Sequence, residues 1–294
     1  MLDRITAALA FAALMLFVVP LARAQSEVSV DAGRGLVTLH LPPAFDGSTP
    51  LPLILNLHGY SGDAVGQQAY FGLLPQTDAQ GVMVAIPDGM EDLAGLRYWN
   101  ATDACCDFFG VAPDDSSYLR ALIEVIAEAY PTDDRRVYVV GHSNGGFMSH
   151  RMACDHADRV AAVFSFAGAQ WEDVERCLPS EPVSVVQFHG TADFTIPYGG
   201  GCIPGLACHP SARTTADTWA SINGCDAQIG VRLPLLDIVE RRPGLDTLRQ
   251  VFEGCTDSAV ELWSSPRTGH VPSFEPAFAQ SVVEFLLAHP KPLR

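Results

Sequence analysis

The stretch RVYVVGHSNGGFM, residues 136–148, contains the pattern around which the rest of the chain is interpreted. It begins with β-branched residues typical of a buried strand, passes through G-x-S-x-G at residues 141–145, and continues into helical sequence. A serine hydroxyl is a weak nucleophile unless a sharp strand-to-helix turn presents it to a base, and flanking glycines let the strand and helix approach closely. The sequence therefore predicts that Ser143 is a nucleophile; the alternative is a buried serine in a glycine-rich turn.

Apolar runs and amphipathic segments alternate on both sides of this turn. Nearly continuous apolar runs indicate strands covered by helices on both faces. The predicted strands are Leu51–Leu57, Val82–Ile86, Val137–Val140, Val160–Phe166, Val183–Phe188, Leu248–Phe252 and Ala259–Trp263, and helices are predicted within Ala64–Gln80, after Asp114, and at Ser211–Asn223 and Pro276–Ala288. The alternating segment Gly35–Leu41 is predicted to be an edge strand. We therefore expect an α/β protein with a mostly parallel central sheet and helices on both faces.

The first 24 residues have the composition of a secretory signal peptide. Arg4 supplies a positive charge, an apolar core follows, and Ala22-Arg23-Ala24 has the small-x-small pattern that signal peptidase cleaves. The alternative is a membrane anchor, but the apolar run is too short to span a bilayer comfortably. We expect cleavage near Ala24, a secreted chain (extracellular or periplasmic), and one catalytic domain over residues 25–294.

The net charge and the cysteines restrict the possible partners. A formal net charge of -16 argues against nucleic acid and anionic membrane surfaces. Eight cysteines in an exported chain indicate disulfides rather than a metal site, because none of their spacings matches a zinc motif. The candidate pairs are Cys202 with Cys208, Cys225 with Cys255, and Cys154 with Cys177. The adjacent Cys105 and Cys106 either bond to each other or pair elsewhere.

A serine nucleophile needs a histidine base, and the base needs a carboxylate that fixes its tautomer. In an α/β enzyme of this type the two follow the serine in the order Asp or Glu, then His. His270 is the predicted base, because it lies in a loop after a strand, whereas His209 lies in a cysteine-bracketed loop and His289 ends the last helix. Asp193 is the predicted acid, because it follows a buried strand through a short turn. The competing aspartates are Asp217, Asp226, Asp237, Asp246 and Asp257.

Other residues near these positions are expected to support the site. The backbone N–H groups of Tyr60 and Asn144 are predicted to form an oxyanion hole, although the loop of Tyr60 could also be a simple glycine-rich turn. Substrate contacts are predicted for the aromatic residues Tyr60, Trp99, Phe194 and Tyr198, any of which could instead cover the core. His142 and His189 are expected to pack or to form hydrogen bonds, and the loop Gly199–Pro210 is predicted to be a lid or a cleft wall.

Five groups of residues occur in order along the chain. They are Leu57-His58-Gly59-Tyr60, Trp99-Asn100 with Cys105-Cys106, Gly141 to Gly146, His189 to Asp193 with Ile196-Pro197-Tyr198, and Gly269-His270. Together they resemble the secreted polyhydroxybutyrate depolymerase and feruloyl esterase family over nearly all of the expected mature chain. The resemblance implies the α/β-hydrolase fold, hydrolysis of esters without a metal or organic cofactor, and the triad Ser143, Asp193 and His270.

The substrate class stays open at this point. One possibility is a hydroxyalkanoate polyester or its oligomers, and the other is a plant cell-wall ester that carries cinnamoyl or acetyl groups. A peptidase on the same scaffold and a binding protein on an inactive hydrolase fold are the remaining alternatives.

Overall fold

The computed structural model describes residues 26–226, 229–240, 244 and 246–293, so the predicted signal peptide, residues 1–24, lies outside the described residues. The strands are β1 (Ser26–Asp31), β2 (Leu36–Leu41), β3 (Leu51–Leu57), β4 (Met83–Ile86), β5 (Met90–Glu91), β6 (Arg97–Tyr98), β7 (Thr132–His142), β8 (Ala162–Phe166), β9 (Ser184–Gly190), β10 (Gly201–Cys202), β11 (Cys208–His209), β12 (Ile229–Leu236), β13 (Thr247–Phe252) and β14 (Val260–Ser265). The helices are α1 (Ala64–Phe71), α2 (Leu74–Gln80), α3 (Asp115–Ala129), α4 (Asn144–Asp155), α5 (Ala212–Ile222) and α6 (Pro276–Ala288), with a short 3-10 helix at Val174–Arg176.

Ten strands form one sheet in the order β1-β2-β4-β3-β7-β8-β9-β14-β13-β12. The six central strands, from β4 to β14, are parallel, and the two outer strands on each side are antiparallel. The carboxyl ends of parallel strands meet at one edge of a sheet, which is where ligands bind in folds of this kind. The segments after β3, β7, β9 and β14 therefore converge.

Helices cover both faces of the sheet, as the continuous apolar strands predicted. On β7, Val137 and Val139 face one hydrophobic core, which includes apolar residues of α3, α4 and α5. Tyr138 and Val140 face the opposite core, which includes residues of α1 and α6. The alternation follows from the two-residue period of a strand, and it confirms the predicted architecture.

The prediction for the amino-terminal edge of the sheet is wrong. The segment predicted to be the edge strand, Gly35–Leu41, forms β2, which pairs with β1 on one side and with β4 on the other. Strand β1 is therefore the edge strand. The sequence of β1, SEVSVD, contains four polar residues and buries only Val30. Too little of β1 is apolar for a sequence pattern to reveal it, because an edge strand packs only one face against the core. Strand β12, at the other edge, was missed as well.

All eight cysteines form disulfides. The three predicted pairs are present, Cys154–Cys177, Cys202–Cys208 and Cys225–Cys255, and the adjacent pair Cys105–Cys106 is bonded within itself. The Cys202–Cys208 bond closes the predicted lid loop, in which β10 and β11 pair as a small hairpin. These bonds cross-link the chain at four places, which reduces the conformational freedom of the unfolded chain.

Glycines allow β3, β7 and α4 to approach one another. A Cβ on Gly141 would lie 2.2 Å from the carbonyl oxygen of Gly145, and a Cβ on Gly145 would lie 2.3 Å from that of Leu57. Both distances are far below van der Waals contact. The backbone itself is the obstacle, so side-chain rotation cannot relieve the clash.

We expect Gly145→Ala to lower the free energy of unfolding by about 3 kcal/mol or to prevent folding, because the added methyl group forces α4 away from β3. Gly199→Ala is the matched control: no atom lies within 4 Å of its added Cβ, and its backbone is not left-handed. Its effect should stay within about 0.5 kcal/mol. Urea denaturation followed by circular dichroism measures both, and equal stabilities of the two variants would contradict the close approach.

Candidate active site

Ser143 occupies a sharp turn between β7 and α4. Its φ is 53° and its ψ is -119°, a conformation that non-glycine residues rarely adopt. The backbone N–H of Ser143 donates to the carbonyl of Phe166 on the neighbouring strand at 2.8 Å, which holds the turn in place. The serine therefore stands at the amino-terminal end of a twelve-residue helix, where the helix dipole favours negative charge.

The three residues that were predicted as a triad lie together. His270 Nε2 is 2.9 Å from Ser143 Oγ, and His270 Nδ1 is 2.7 Å from Asp193 Oδ2. These residues lie 127 and 77 positions apart in sequence, so only the meeting of strand ends brings them together. The arrangement can move a proton from the hydroxyl to the imidazole while the carboxylate stabilises the resulting charge.

Asp193 is buried and receives several hydrogen bonds. Its Oδ1 accepts the backbone N–H groups of Thr195 and Ile196, each at 2.9 Å. Burial alone would raise the pKa of Asp193, but hydrogen bonds from His189 and His270 outweigh it and hold this pKa well below its usual range. The carboxylate therefore stays ionised at neutral pH and can orient the imidazole of His270.

His142 supports the site without facing Ser143 as a base. Its Nε2 is 3.0 Å from the carbonyl oxygen of His270, and its ring stacks on Phe166 with centroids 5.1 Å apart. Burial lowers the pKa of His142 to about 3, with a further lowering from His270. His142 is therefore neutral near pH 7 and packs beside the loop of His270, which is the kind of role expected for it.

The candidate oxyanion donors adjoin Ser143 on two sides. Asn144 follows it in the chain, and Tyr60 follows Gly59, whose added Cβ would lie 3.3 Å from Ser143 Cβ. Within the described part of the chain, neither the N–H of Tyr60 nor that of Asn144 has an acceptor. Tyr60, Ser143 and His270 line one cavity of ≈ 340 Å³, so both N–H groups are candidates for stabilising a negative oxygen there.

Trp99 lies beneath the site rather than in the cavity. It is fully buried, its backbone N–H donates to Asn144 Oδ1 at 2.6 Å, and its carbonyl accepts from Asn144 Nδ2 at 2.8 Å. The indole N–H donates to the carbonyl of His58 at 3.0 Å. Trp99 therefore links the segments of both candidate oxyanion donors. The sequence singled out this residue, but its pattern could not show which way the ring would turn.

The other aromatic residues differ in their relation to the cavity. Tyr60 lines it, and its hydroxyl donates to Asp92 at 2.6 Å. Phe194 is 93% exposed, and the hydroxyl of Tyr198 is hydrogen-bonded to the hydroxyl of Ser264 at 2.8 Å. Neither side chain lines the cavity, because the turn of residues 193–198 directs both away from it. The cavity is lined instead by Tyr70, Thr195 and Val271, which the sequence analysis did not single out. Thr195 and Val271 lie in segments that follow predicted strands, whereas Tyr70 lies in α1 and had no such signal.

Neither a metal site nor a membrane-spanning helix is found where the structure is described. Residues 26–226, 229–240, 244 and 246–293 contain no group of three or more His, Cys, Asp or Glu residues arranged to hold a metal ion. No helix in these ranges is both long enough and apolar enough to cross a membrane.

Comparisons with known proteins agree with this geometry. A family model described as "Putative esterase" matches residues 33–187, just over half of the chain. Feruloyl esterase B of Piromyces equi is 29% identical over 199 residues, which are 65% of this chain and 36% of that protein. Feruloyl esterase D of Neurospora crassa is 25% identical over 248 residues, which are 80% of this chain and 73% of that protein. The chain thus spans about a third of the first relative's length.

A solved structure shows the same fold. The acetyl xylan esterase from Aspergillus awamori superposes with a TM-score of 0.59 at 14% sequence identity, and the match covers 90% of this chain and 98% of that one. The α/β-hydrolase fold predicted from the sequence is therefore confirmed.

We expect Trp99→Phe to lower the free energy of unfolding by about 1–3 kcal/mol, because the buried carbonyl of His58 loses its indole donor. Trp171→Phe is a matched control, since Trp171 is also buried and its indole nitrogen has no hydrogen-bond partner among the described residues. The control loses the same ring volume from a buried site but no hydrogen bond, so it should destabilise the protein less than Trp99→Phe does. Chemical denaturation of both variants gives the comparison; equal losses would mean that the hydrogen bond to His58 contributes nothing.

Proposed function

The chain belongs to the Esterase family, and from this premise we propose that it is a secreted serine hydrolase that cleaves carboxylic esters through an acyl-enzyme on Ser143. The observation that carries the proposal is the 2.9 Å approach of His270 Nε2 to Ser143 Oγ with Asp193 2.7 Å behind the ring. A nucleophile, a base and a group that orients the base are thereby aligned in one cavity.

The reaction proceeds in two halves under this proposal. His270 takes the proton of Ser143 as its oxygen attacks the ester carbonyl, and the N–H groups of Tyr60 and Asn144 stabilise the oxyanion. His270 then protonates the departing alcohol. In the second half, water attacks the acyl-enzyme with His270 again as base, and the acid is released. Protein groups and water supply and accept every proton in these reaction steps, so the mechanism needs no metal or organic cofactor.

The acyl group of the natural substrate is proposed from the relatives. Both relatives named above are feruloyl esterases, and another similar protein is a bifunctional acetylxylan esterase/xylanase of Neocallimastix patriciarum. In the cavity, the rings of Tyr60 and Tyr70 could stack on a phenolic acyl group. We therefore favour a cinnamoyl-type ester of plant cell-wall material over a hydroxyalkanoate polyester. The substrate is a small or polymeric ester, and neither nucleic acid nor membrane is part of the proposal.

Secretion is part of the same proposal. Residues 1–24 have the features of a signal peptide, and all eight cysteines are paired in disulfides. Disulfides persist in oxidising compartments outside the cytosol. Removal of the leader near Ala24 would release the chain to the periplasm or the medium, where cell-wall esters are accessible.

We expect Ser143→Ala to lower kcat on p-nitrophenyl acetate by at least about 10⁴-fold, because the acyl-enzyme can no longer form. Labelling by a fluorophosphonate probe should disappear with it. Ser165→Ala is the control: this buried serine lies on β8, the neighbouring strand, and should keep both activity and labelling. Equal rates of the native protein and Ser143→Ala would refute the nucleophile, and a native protein inert to esters and to the probe would favour a binding protein.

We expect kcat/KM on methyl ferulate to exceed that on a soluble hydroxybutyrate oligomer by about tenfold or more, since the aromatic acyl group fills an aromatic-lined cavity. Tyr60→Leu should lower kcat/KM on methyl ferulate more than on p-nitrophenyl acetate, because the backbone N–H remains while the ring is lost. Steady-state kinetics on the three esters measures this. Faster cleavage of the hydroxybutyrate oligomer would assign the protein to polyesters instead.

A further inference from the structure

A chain of hydrogen bonds runs through the core from α5 to His189, whose ring lies against Asp193. The indole N–H of Trp219 contacts His150 Nδ1 at 3.0 Å, and His150 Nε2 contacts Gln187 Oε1 at 2.8 Å. Gln187 Nε2 is 3.2 Å from His189 Nδ1, and His189 Nε2 is 3.4 Å from Asp193 Oδ2. Each of the five residues is at most 4% exposed, and none of the five lines the catalytic cavity.

Trp219 and His150 determine which atom donates in each hydrogen bond of this series. An indole nitrogen can only donate a hydrogen bond, so His150 Nδ1 must accept from Trp219. The proton of the neutral ring is then on Nε2, which donates to Gln187 Oε1. Burial lowers the pKa of His150 to about 4, so the ring is neutral near pH 7.

The orientation of the Gln187 amide then determines which nitrogen of His189 accepts a hydrogen bond. With its oxygen facing His150, the Gln187 amide group donates to the carbonyl of Gly168 at 2.9 Å and to His189 Nδ1. His189 Nδ1 therefore accepts, and its proton lies on Nε2. That N–H is 2.8 Å from the carbonyl oxygen of Ile196 as well as 3.4 Å from Asp193 Oδ2.

We propose that His189 is a positioning residue for Asp193, and that Trp219, His150 and Gln187 hold it in the tautomer that donates toward the carboxylate. Ile196, in the turn after β9, joins His189 to Asp193. Its carbonyl accepts a hydrogen bond from His189, and its backbone N–H donates to Asp193 Oδ1. Asp193 Oδ2 is thereby shared between His189 and His270. This inference rests on the proposed function, in which Asp193 orients the base.

One consequence follows for the chemistry. The hydrogen bonds that His189 and Asp193 form with Ile196, together with the 3.4 Å contact of His189 Nε2 with Asp193 Oδ2, keep that oxygen aimed at His270 Nδ1. Without His189, the carboxylate would be less well aligned with the base. The titratable groups around His189 are Asp193, His142, His209, His270 and Tyr198.

Two substitutions of His189 separate positioning from packing. The amide nitrogen of His189→Gln stands near the original Nε2 and can still donate toward Asp193, whereas that of His189→Asn stands near Nδ1 and cannot. On p-nitrophenyl acetate we expect His189→Asn to lose about tenfold in kcat with little change in KM. His189→Gln should recover most of the activity.

His40→Gln is the control for loss of a buried histidine. His40 is 2% exposed on β2, and its Nδ1 lies 3.2 Å from Glu27 Oε1 on β1, on the far side of the sheet from β9. It should keep the native kcat and KM. Equal losses in His189→Asn, His189→Gln and His40→Gln, or an unchanged His189→Asn, would overturn the proposal.

Nitrogen-15 NMR of histidine-labelled native protein tests the tautomers without any assay of activity. Both His150 and His189 should carry their proton on Nε2, and Trp219→Phe should release His150 from that single form. A proton on Nδ1 of either ring in the native protein would overturn the proposal. If the native protein cleaves no ester, the proposed function fails, and the NMR result still decides the direction of the hydrogen bonds.

Discussion

The close approach of three backbone segments around Ser143 is the constraint on which the candidate site depends. Strand β3, the end of β7 and the start of α4 meet where any Cβ on Gly141 or Gly145 would lie 2.2 or 2.3 Å from a carbonyl oxygen. In that space Ser143 is held at a φ of 53°, with its N–H bonded to Phe166. Such a conformation persists only where the surrounding structure fixes it, and here cores on both faces of the sheet do so.

Burial then determines where charge can reside near the serine. It lowers the pKa values of His142 to about 3 and of His150 to about 4, so both rings are neutral near pH 7. Asp193 stays ionised because its hydrogen bonds outweigh the effect of burial. His270 is the imidazole that touches both this carboxylate and Ser143, and its side chain is 13% exposed to the cavity. The negative charge of Asp193 is therefore directed at the one ring that faces the serine hydroxyl.

The sequence predicted the central sheet and the spatial grouping of Ser143, Asp193 and His270 because both leave local patterns. Buried parallel strands are continuous apolar runs, and the residues after them gather at one sheet edge. The edge strand β1 leaves no such pattern, because few of its side chains are buried. The hydrogen bonds of Trp99 with Asn144, or of Trp219 with His150, join residues 45 and 69 positions apart. Their formation depends on ring orientation in the packed core, which no spacing rule encodes.

The two sides of the candidate site are thus fixed by different buried groups. Trp99 holds the segments of the candidate oxyanion donors, and the turn of Asp193 is held by His189 of β9, so neither depends on the cavity surface. Among the cavity residues, Tyr60 has comparable support, because Asp92, itself 7% exposed, accepts its hydroxyl. Val271 is 66% exposed and adjoins His270 without such a partner. A change at Val271 therefore alters the cavity surface beside His270 while the hydrogen bonds that align Ser143, Asp193 and His270 stay in place.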